Sequence, residues 1–398
     1  MTARIGGSTA ARELAGLQSP GPAPAILERG AYEARLDRAQ ELITEIGADA
    51  MLVTAGASLR YFTGLPWGAT ERLVGAVVPR RGQPTMICPA LEIGALLADL
   101  AIETGIALWE EDESAFVLAA GLLKDAGVLA LDPGAPFSVF DGLRQAAPAL
   151  NIVSAAPLVD GCRMFKSDDE LARLQYAKTV TLQVQRAAAA MLPRGVSASA
   201  VRQFIDTAHR ALGADNGSYF CAVQFGAATA YPHDVPGEQV LAEGDLVLID
   251  TGCQIQGYHS DITRTYVFDE PTAKQRRIWN IEHEAQAAAF AAARPGVTCE
   301  SIDRAARMVL ERYGLGPGYT LPGLPHRTGH GIGLSIHEPA YLVAGDKTLL
   351  APGMCFSNEP MIVVPDTFDI RLEDHFYVTS DGAAWFTPPS DSIDAPFP

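Results

Sequence analysis

Apolar positions recur at helical spacing over residues 32–46, and a compact apolar run, Ala50–Thr54, follows as a candidate buried strand. Residues 73–78 and 84–88 read as two further strands around the turn Arg80-Arg81-Gly82. Helical stretches near 90–100 and 116–126 then alternate with short strands near 128–131 and 152–154. That alternation predicts an α/β layer, helices on a sheet, over residues 31–160. Residues 1–30, rich in Ala, Gly, Pro and Ser, read as a loosely held arm. A boundary falls near 161–166, where Ser167-Asp168-Asp169-Glu170 fits a capping box and opens a helix ended by Pro193-Arg194-Gly195. A second helix begins at Ser197, and another pair, near 272–293 and 299–313, is parted by Pro295-Gly296. Residues 165–398 thus form a second domain, and the expected class is α+β.

The length of 398 residues suits two domains, and 48% hydrophobic residues suit a real core. The formal charge of −17 argues against nucleic acid, which needs Lys and Arg at its phosphates, and against an anionic membrane surface. No apolar run approaches the length of a bilayer span, and no signal-like apolar stretch precedes Pro20, Pro22 and Pro24. Six scattered cysteines without a CxxC pair read as reduced thiols, so a cytoplasmic location is expected.

Chemistry concentrates beyond residue 220. Leu246-Val247-Leu248-Ile249-Asp250 is an apolar strand ending in a carboxylate, and Asp261 follows eleven positions later. A hairpin centred between Ile255 and Gln256 would set the two aspartates directly opposite, about 5 Å apart at Cβ. Carboxylates so close repel unless a cation or a proton lies between them. A metal site is therefore the economical reading. The competing one makes Asp250 a turn residue and Asp261 a solvated surface charge. Glu359 and Glu373 are placed symmetrically about Asp366, so a hairpin turning at Pro365-Asp366-Thr367 would bring them together. Four carboxylates suit a hard divalent cation such as Mn²⁺.

His330 is the fifth candidate, in Gly329-His330-Gly331, and the alternation of residues 332–337 reads as a half-buried strand leading to His337. The glycines would permit a bend that turns both imidazoles to one centre, although a core or capping role for either is equally open. His233 is isolated and weighs little by itself. No GxSxG elbow is present, and Cys253 reads as packing.

The runs Asp250-Thr-Gly, Gly257-Tyr-His-Ser-Asp261-Ile-Thr-Arg-Thr, Gly329-His330-Gly, Asn358-Glu359-Pro and Arg371-Leu-Glu373-Asp resemble the "pita-bread" dinuclear metallopeptidases, family M24. These include methionine aminopeptidase, aminopeptidase P, prolidase and creatinase. The resemblance covers residues 165–398. Ser58-Leu-Arg-Tyr-Phe-Thr-Gly64 is similar to a motif in the smaller α/β N-terminal domain of the creatinase/prolidase branch. It implies a pita-bread catalytic domain and a metal set of Asp250, Asp261, His330, Glu359 and Glu373, with Asp261 and Glu373 bridging two ions. It further implies that a water shared by the ions attacks the scissile carbonyl and that Glu359 handles the proton. His233 and His337 match the family's two non-ligand histidines at the substrate and oxyanion. Arg371 is either a substrate-carboxylate contact or a counter-charge to the acidic cluster.

The implied activity is Xaa-Pro dipeptidase (prolidase), with Mn²⁺ as first choice and Co²⁺ or Zn²⁺ as alternatives, acting on a small peptide as a homodimer. Aminopeptidase P, acting on longer Xaa-Pro peptides, is the runner-up. A hydrolase or lyase of small amino-acid-like solutes is a third reading, although the lyases carry an additional Asp where this chain has Gly252. The filled ligand set disfavours the metal-free creatinase subfamily and a catalytically dead binding module.

Overall fold

The computed structural model describes residues 5–231 and 235–397. The chain divides into two compact units, Ala25–Arg163 and, as the second, the segment up to Pro24 together with Met164–Pro398. The segment expected as a loose arm carries helix α1 (Ala10–Gly16), N-capped by Thr9, and belongs to the second unit. Ile5, Leu14 and Leu17 pack against that unit's core, and the Gly6 N–H donates to the Ala189 carbonyl at 2.9 Å. Apolar contacts and backbone hydrogen bonds together seat a segment whose composition reads as linker.

In the first unit, β1 (Ala50–Thr54), β2 (Gly75–Pro79), β3 (Thr85–Pro89), β4 (Gly105–Trp109), β5 (Val128–Leu131) and β6 (Asn151–Ser154) form one sheet in the order β4-β3-β2-β1-β5-β6. The pairs β1/β2 and β2/β3 are antiparallel and the others parallel. Its helices are α2 (Arg29–Glu45), α3 (Ala57–Thr63), α4 (Ile93–Asp99), α5 (Ala115–Leu122), α6 (Phe137–Ala146) and α7 (Ala156–Arg163). The hydrophobic pattern misses β4, an edge strand that leaves Ile106 and Leu108 exposed.

The second unit consists of two similar halves. In the first, α8 (Asp168–Met191) and α9 (Ala198–Ala211) precede β7 (Ser218–Phe225), β8 (Leu246–Ile255), β9 (Tyr258–His259) and β10 (Ile262–Val267). Strand β8 lies between β10 and β7, and β9 extends its hairpin. In the second half, α10 (Ala273–Ala292) and α11 (Cys299–Arg312) precede β11 (Gly329–Gly331), β12 (Glu338–Leu342), β13 (Cys355–Asn358), β14 (Met361–Val364), β15 (Phe368–Arg371), β16 (Asp374–Val378) and β17 (Ala383–Trp385). Its main sheet runs β12-β11-β13-β16-β17, and β14 and β15 form a separate ribbon. Each half's long helix starts with a complete capping box, Ser167 with Glu170 and Thr272 with Gln275. Val184, Val201, Ile205 and Ile249 fill the core of the first half, and Trp279, Ile302, Ile362 and Ile370 that of the second.

Among the described residues one antiparallel bridge, Thr263 to Glu373, joins the two halves, with the Glu373 N–H donating to the Thr263 carbonyl at 3.1 Å. Two hairpins that lie far apart in sequence thereby present their carboxylates to one place. Among the described residues, no helix is long and apolar enough to cross a membrane.

Candidate metal centre

The first hairpin turns one residue later than its sequence suggests. Gln256 and Gly257 both have positive φ, 51° and 82°, the geometry of a two-residue hairpin turn. Ile255 therefore pairs with Tyr258, and Asp250 faces Thr263 rather than Asp261. Moving the centre by one residue moves each pairing by two, so the side-chain faces are unchanged. Asp250 and Asp261 still share a face, but as diagonal neighbours.

The second hairpin has the register its sequence predicts. Met361 pairs with Arg371 and Val364 with Phe368 around Asp366, whose φ is 56°. The same register continues from Asn358–Asp374 to Cys355–Tyr377. Glu359 and Glu373 face each other at the break between the two ladders, where the chain passes from one sheet to the other.

Residues 332–337 are a bent loop, not the expected strand; the strand starts at Glu338. Here the glycines matter through close approach. A Cβ at Gly331 would meet the Glu338 carbonyl at 2.5 Å, and one at Gly333 would meet the Glu338 carboxylate at 2.8 Å. The loop wraps around that carboxylate, which also accepts from the Ser335 N–H at 3.0 Å and pairs with buried Lys166 at 2.9 Å. The wrapping carries His337 back to His330, with ring centroids 4.2 Å apart and planes at 74°.

Asp250, Asp261, His330, Glu359, Glu373, His337 and Arg371 line one cleft, with Tyr219, Phe220 and His326 among its other walls. His233 lies outside the described residues. His330 Nε2 is 3.2 Å from Glu359 Oε1 and 3.7 Å from Asp261 Oδ2. Arg371 Nη2 is 3.0 Å from Asp250 Oδ2. Single donor atoms of His330, Glu359 and Glu373 lie within 4.8 Å of one another, as do those of Asp261, His330 and His337.

The two halves divide their charge alike. In each, one carboxylate has a cationic partner. Burial tends to raise Glu359, but the hydrogen bond and charge of His330 outweigh it and hold the acid down to about 2. Burial raises Asp250 above the usual carboxylate range, and Arg371 opposes the rise. In each half the other carboxylate has no hydrogen-bonded cation, His330 Nε2 staying 3.7 Å from Asp261. Burial and neighbouring carboxylates push Asp261 and Glu373 well above their ordinary values.

Asp250 Oδ1 and Glu373 Oε1 are buried without a hydrogen-bond partner. Buried anionic oxygens left over in this way, beside one imidazole, fit a hard or borderline divalent cation.

Residues 172–380 match metallopeptidase family M24, and residues 35–165 match the creatinase/prolidase N-terminal domain. The chain belongs to family M24. A probable dipeptidase of Mycobacterium bovis, PepE, is 36% identical to this M24 chain over 356 residues, 88% of the chain and 93% of the relative. The Xaa-Pro dipeptidase of Lactobacillus helveticus is 30% identical over 368 residues, 88% of the chain and 96% of that protein. The crystal structure of the dipeptidase PepE from Mycobacterium ulcerans superposes with a TM-score of 0.83 at 31% identity, covering 92% of the M24 chain and 98% of its own. The two-domain M24 architecture expected from the motifs is the one observed.

Sequence reading missed the residues that hold the ligand strands. Arg264 is fully buried; it pairs with Asp374 at 2.7 Å and donates to the Glu373 carbonyl at 3.0 Å. The Gln286 amide, from α10, donates to the carbonyls of Asn358 and Leu372 at 3.3 and 3.1 Å, each next to a ligand candidate. Thr263 Oγ1 donates to Glu373 Oε2 at 2.8 Å. Arg264 carried a signal, a charged residue inside an apolar strand between two threonines, whereas Gln286 in a long helix carried none. His375 was missed as well. Burial, then Lys178, pushes its imidazole well below the ordinary histidine value, so it is neutral.

Proposed function

We propose that this M24 peptidase hydrolyses Xaa-Pro bonds, preferentially in dipeptides. Asp250, Asp261, His330, Glu359 and Glu373 would hold two divalent ions, Mn²⁺ first, with Co²⁺ and Zn²⁺ as alternatives. The observation that carries the reading is the pair of buried carboxylates, Asp261 and Glu373, that lack a hydrogen-bonded cationic partner at the meeting point of two hairpins. The 30% identity to a named Xaa-Pro dipeptidase supports the substrate class.

Bound there, divalent ions would polarise the scissile carbonyl and make water a competent nucleophile near neutral pH. Glu359 is ionised at neutral pH, so it can take the proton from the attacking water and return it to the leaving proline nitrogen. His337 opens onto the cleft, and burial followed by His330 lowers it to about 4, so it is neutral. A neutral imidazole can donate its N–H to the oxygen on which charge develops. His233 is proposed to share that task. The 3.0 Å pair with Asp250 favours Arg371 as a counter-charge that fixes this carboxylate over a role as substrate contact. A cytoplasmic homodimer is the assembly proposed with this activity.

Hydrolysis of Ala-Pro and Ala-Pro-Ala, each with added Mn²⁺ and with a chelator, tests the reading. Metal-dependent cleavage of Ala-Pro in preference to the tripeptide supports it. Preference for the tripeptide replaces it with aminopeptidase P, and turnover unaffected by the chelator overturns the metal mechanism.

A further inference from the structure

The five expected ligands include one histidine, yet a second imidazole lies beneath the same carboxylates. His375 is on β16, two residues past Glu373, and so on the same face of the strand. It pairs across the sheet with Ser357, whose Oγ accepts from the His330 N–H at 2.8 Å. His330, Ser357 and His375 thus form one row across three neighbouring strands. Single donor atoms of Asp261, Glu373 and His375 lie within 4.8 Å of one another, as do those of His330, Glu359 and Glu373.

His375 is fully buried, and neither ring nitrogen makes a hydrogen bond of good geometry, although the imidazole lies against the Asp261 backbone. Glu373 Oε1 beside it is buried and unpartnered too. A carboxylate and an imidazole in one group, both unsatisfied and not bonded to each other, are poorly explained as packing. Each lost partner costs about 1–3 kcal/mol, and an apolar side chain would fill the same position without that cost. Donor atoms within 4.8 Å that make no hydrogen bond to each other suit a cation between the groups, since donors about 2 Å from an ion stand roughly 3–4 Å apart.

We propose that His375 is a metal ligand of this chain, adding a second imidazole to the ion held between Asp261 and Glu373. The inference rests on reading the site as a metal centre and goes beyond that reading in its ligand count. It makes the ion that Asp250 would also hold a mixed nitrogen–oxygen site rather than an all-carboxylate one. Such a donor set shifts preference from Mn²⁺ toward Co²⁺ or Zn²⁺.

Proton NMR of the Co²⁺-loaded, full-length protein tests this, because each coordinated imidazole N–H gives its own strongly shifted, solvent-exchangeable signal. Two such signals, both lost on exchange into D₂O, are expected in the wild type. His375→Gln is expected to lose one and keep the other, with Co²⁺ affinity falling about 10- to 100-fold. One signal in the wild type, or two that both survive in His375→Gln and so implicate His337, overturns the inference while leaving the metal centre standing. No shifted signal at all overturns the metal centre itself. Should His375→Gln fail to fold, the wild-type count decides alone.

Discussion

The two halves of the catalytic unit reach the same end by different geometry. In the first, the carboxylates sit in one sheet as diagonal neighbours, and a two-residue turn sets their register. In the second, they stand opposite each other at the seam between two ladders with a single continuous register. One acid of each half has a cationic partner, and the second half supplies both partners, Arg371 for Asp250 and His330 for Glu359. The other acid of each half has no hydrogen-bonded cation. Asp261 and Glu373 repeat one electrostatic solution on two different backbones. Parity within a strand, rather than the particular register, is what the site requires.

Removing either uncompensated carboxylate tests that equivalence most severely. Asp261→Asn and Glu373→Gln should each lower Ala-Pro hydrolysis at least about 1,000-fold, equivalent to about 4 kcal/mol of transition-state stabilisation. Wild-type rates in either variant would refute the shared role. Next in size is the joint between the halves. Arg264→Ala leaves Asp374 buried without its partner and should destabilise the protein by about 3–5 kcal/mol, read from the urea midpoint. A loss below 1 kcal/mol would show that the joint does not depend on this pair.

One pH effect originates in the first half. His209 is buried between Thr181 and Ser218, and burial lowers its pKa to about 4. An unfolded histidine takes up its proton near 6.5, so between pH 6.5 and 4 the unfolded chain binds more protons. Stability should therefore fall as pH drops through that window, by about 3 kcal/mol in all from this group. His209→Gln should flatten that part of the curve, and an unchanged slope would contradict the assignment. The smallest effect separates the halves at their second helices. The Ser197 side chain accepts from the Ala200 N–H and caps α9, whereas Thr298 at the start of α11 makes no such bond. Ser197→Ala should cost about 1 kcal/mol, and Thr298→Ala clearly less. Equal losses in thermal melts would remove the distinction.

Much of this was legible in the sequence, for local reasons. The capping box at Ser167, the turn at Asp366 and the apolar strand before Asp250 are short-range signals, and each marks its element. The first hairpin's register was missed because Gln256 had to adopt positive φ, which few non-glycine residues do outside a tight turn. The strand expected at 332–337 failed because its alternation serves a loop wrapped on the Glu338 carboxylate, and Lys166, which pairs with that group, lies far away in sequence. Gln286 and His375 were illegible for the same reason: their meaning arises only where separated strands meet.

The claim that Asp261 and Glu373 are shared between ions is tested most directly by counting metal. Protein stripped with a chelator, titrated with Mn²⁺ and washed free of excess should retain two ions per chain in the wild type and at most one in Asp261→Asn. Two ions in both proteins, or none in the wild type, would contradict the account.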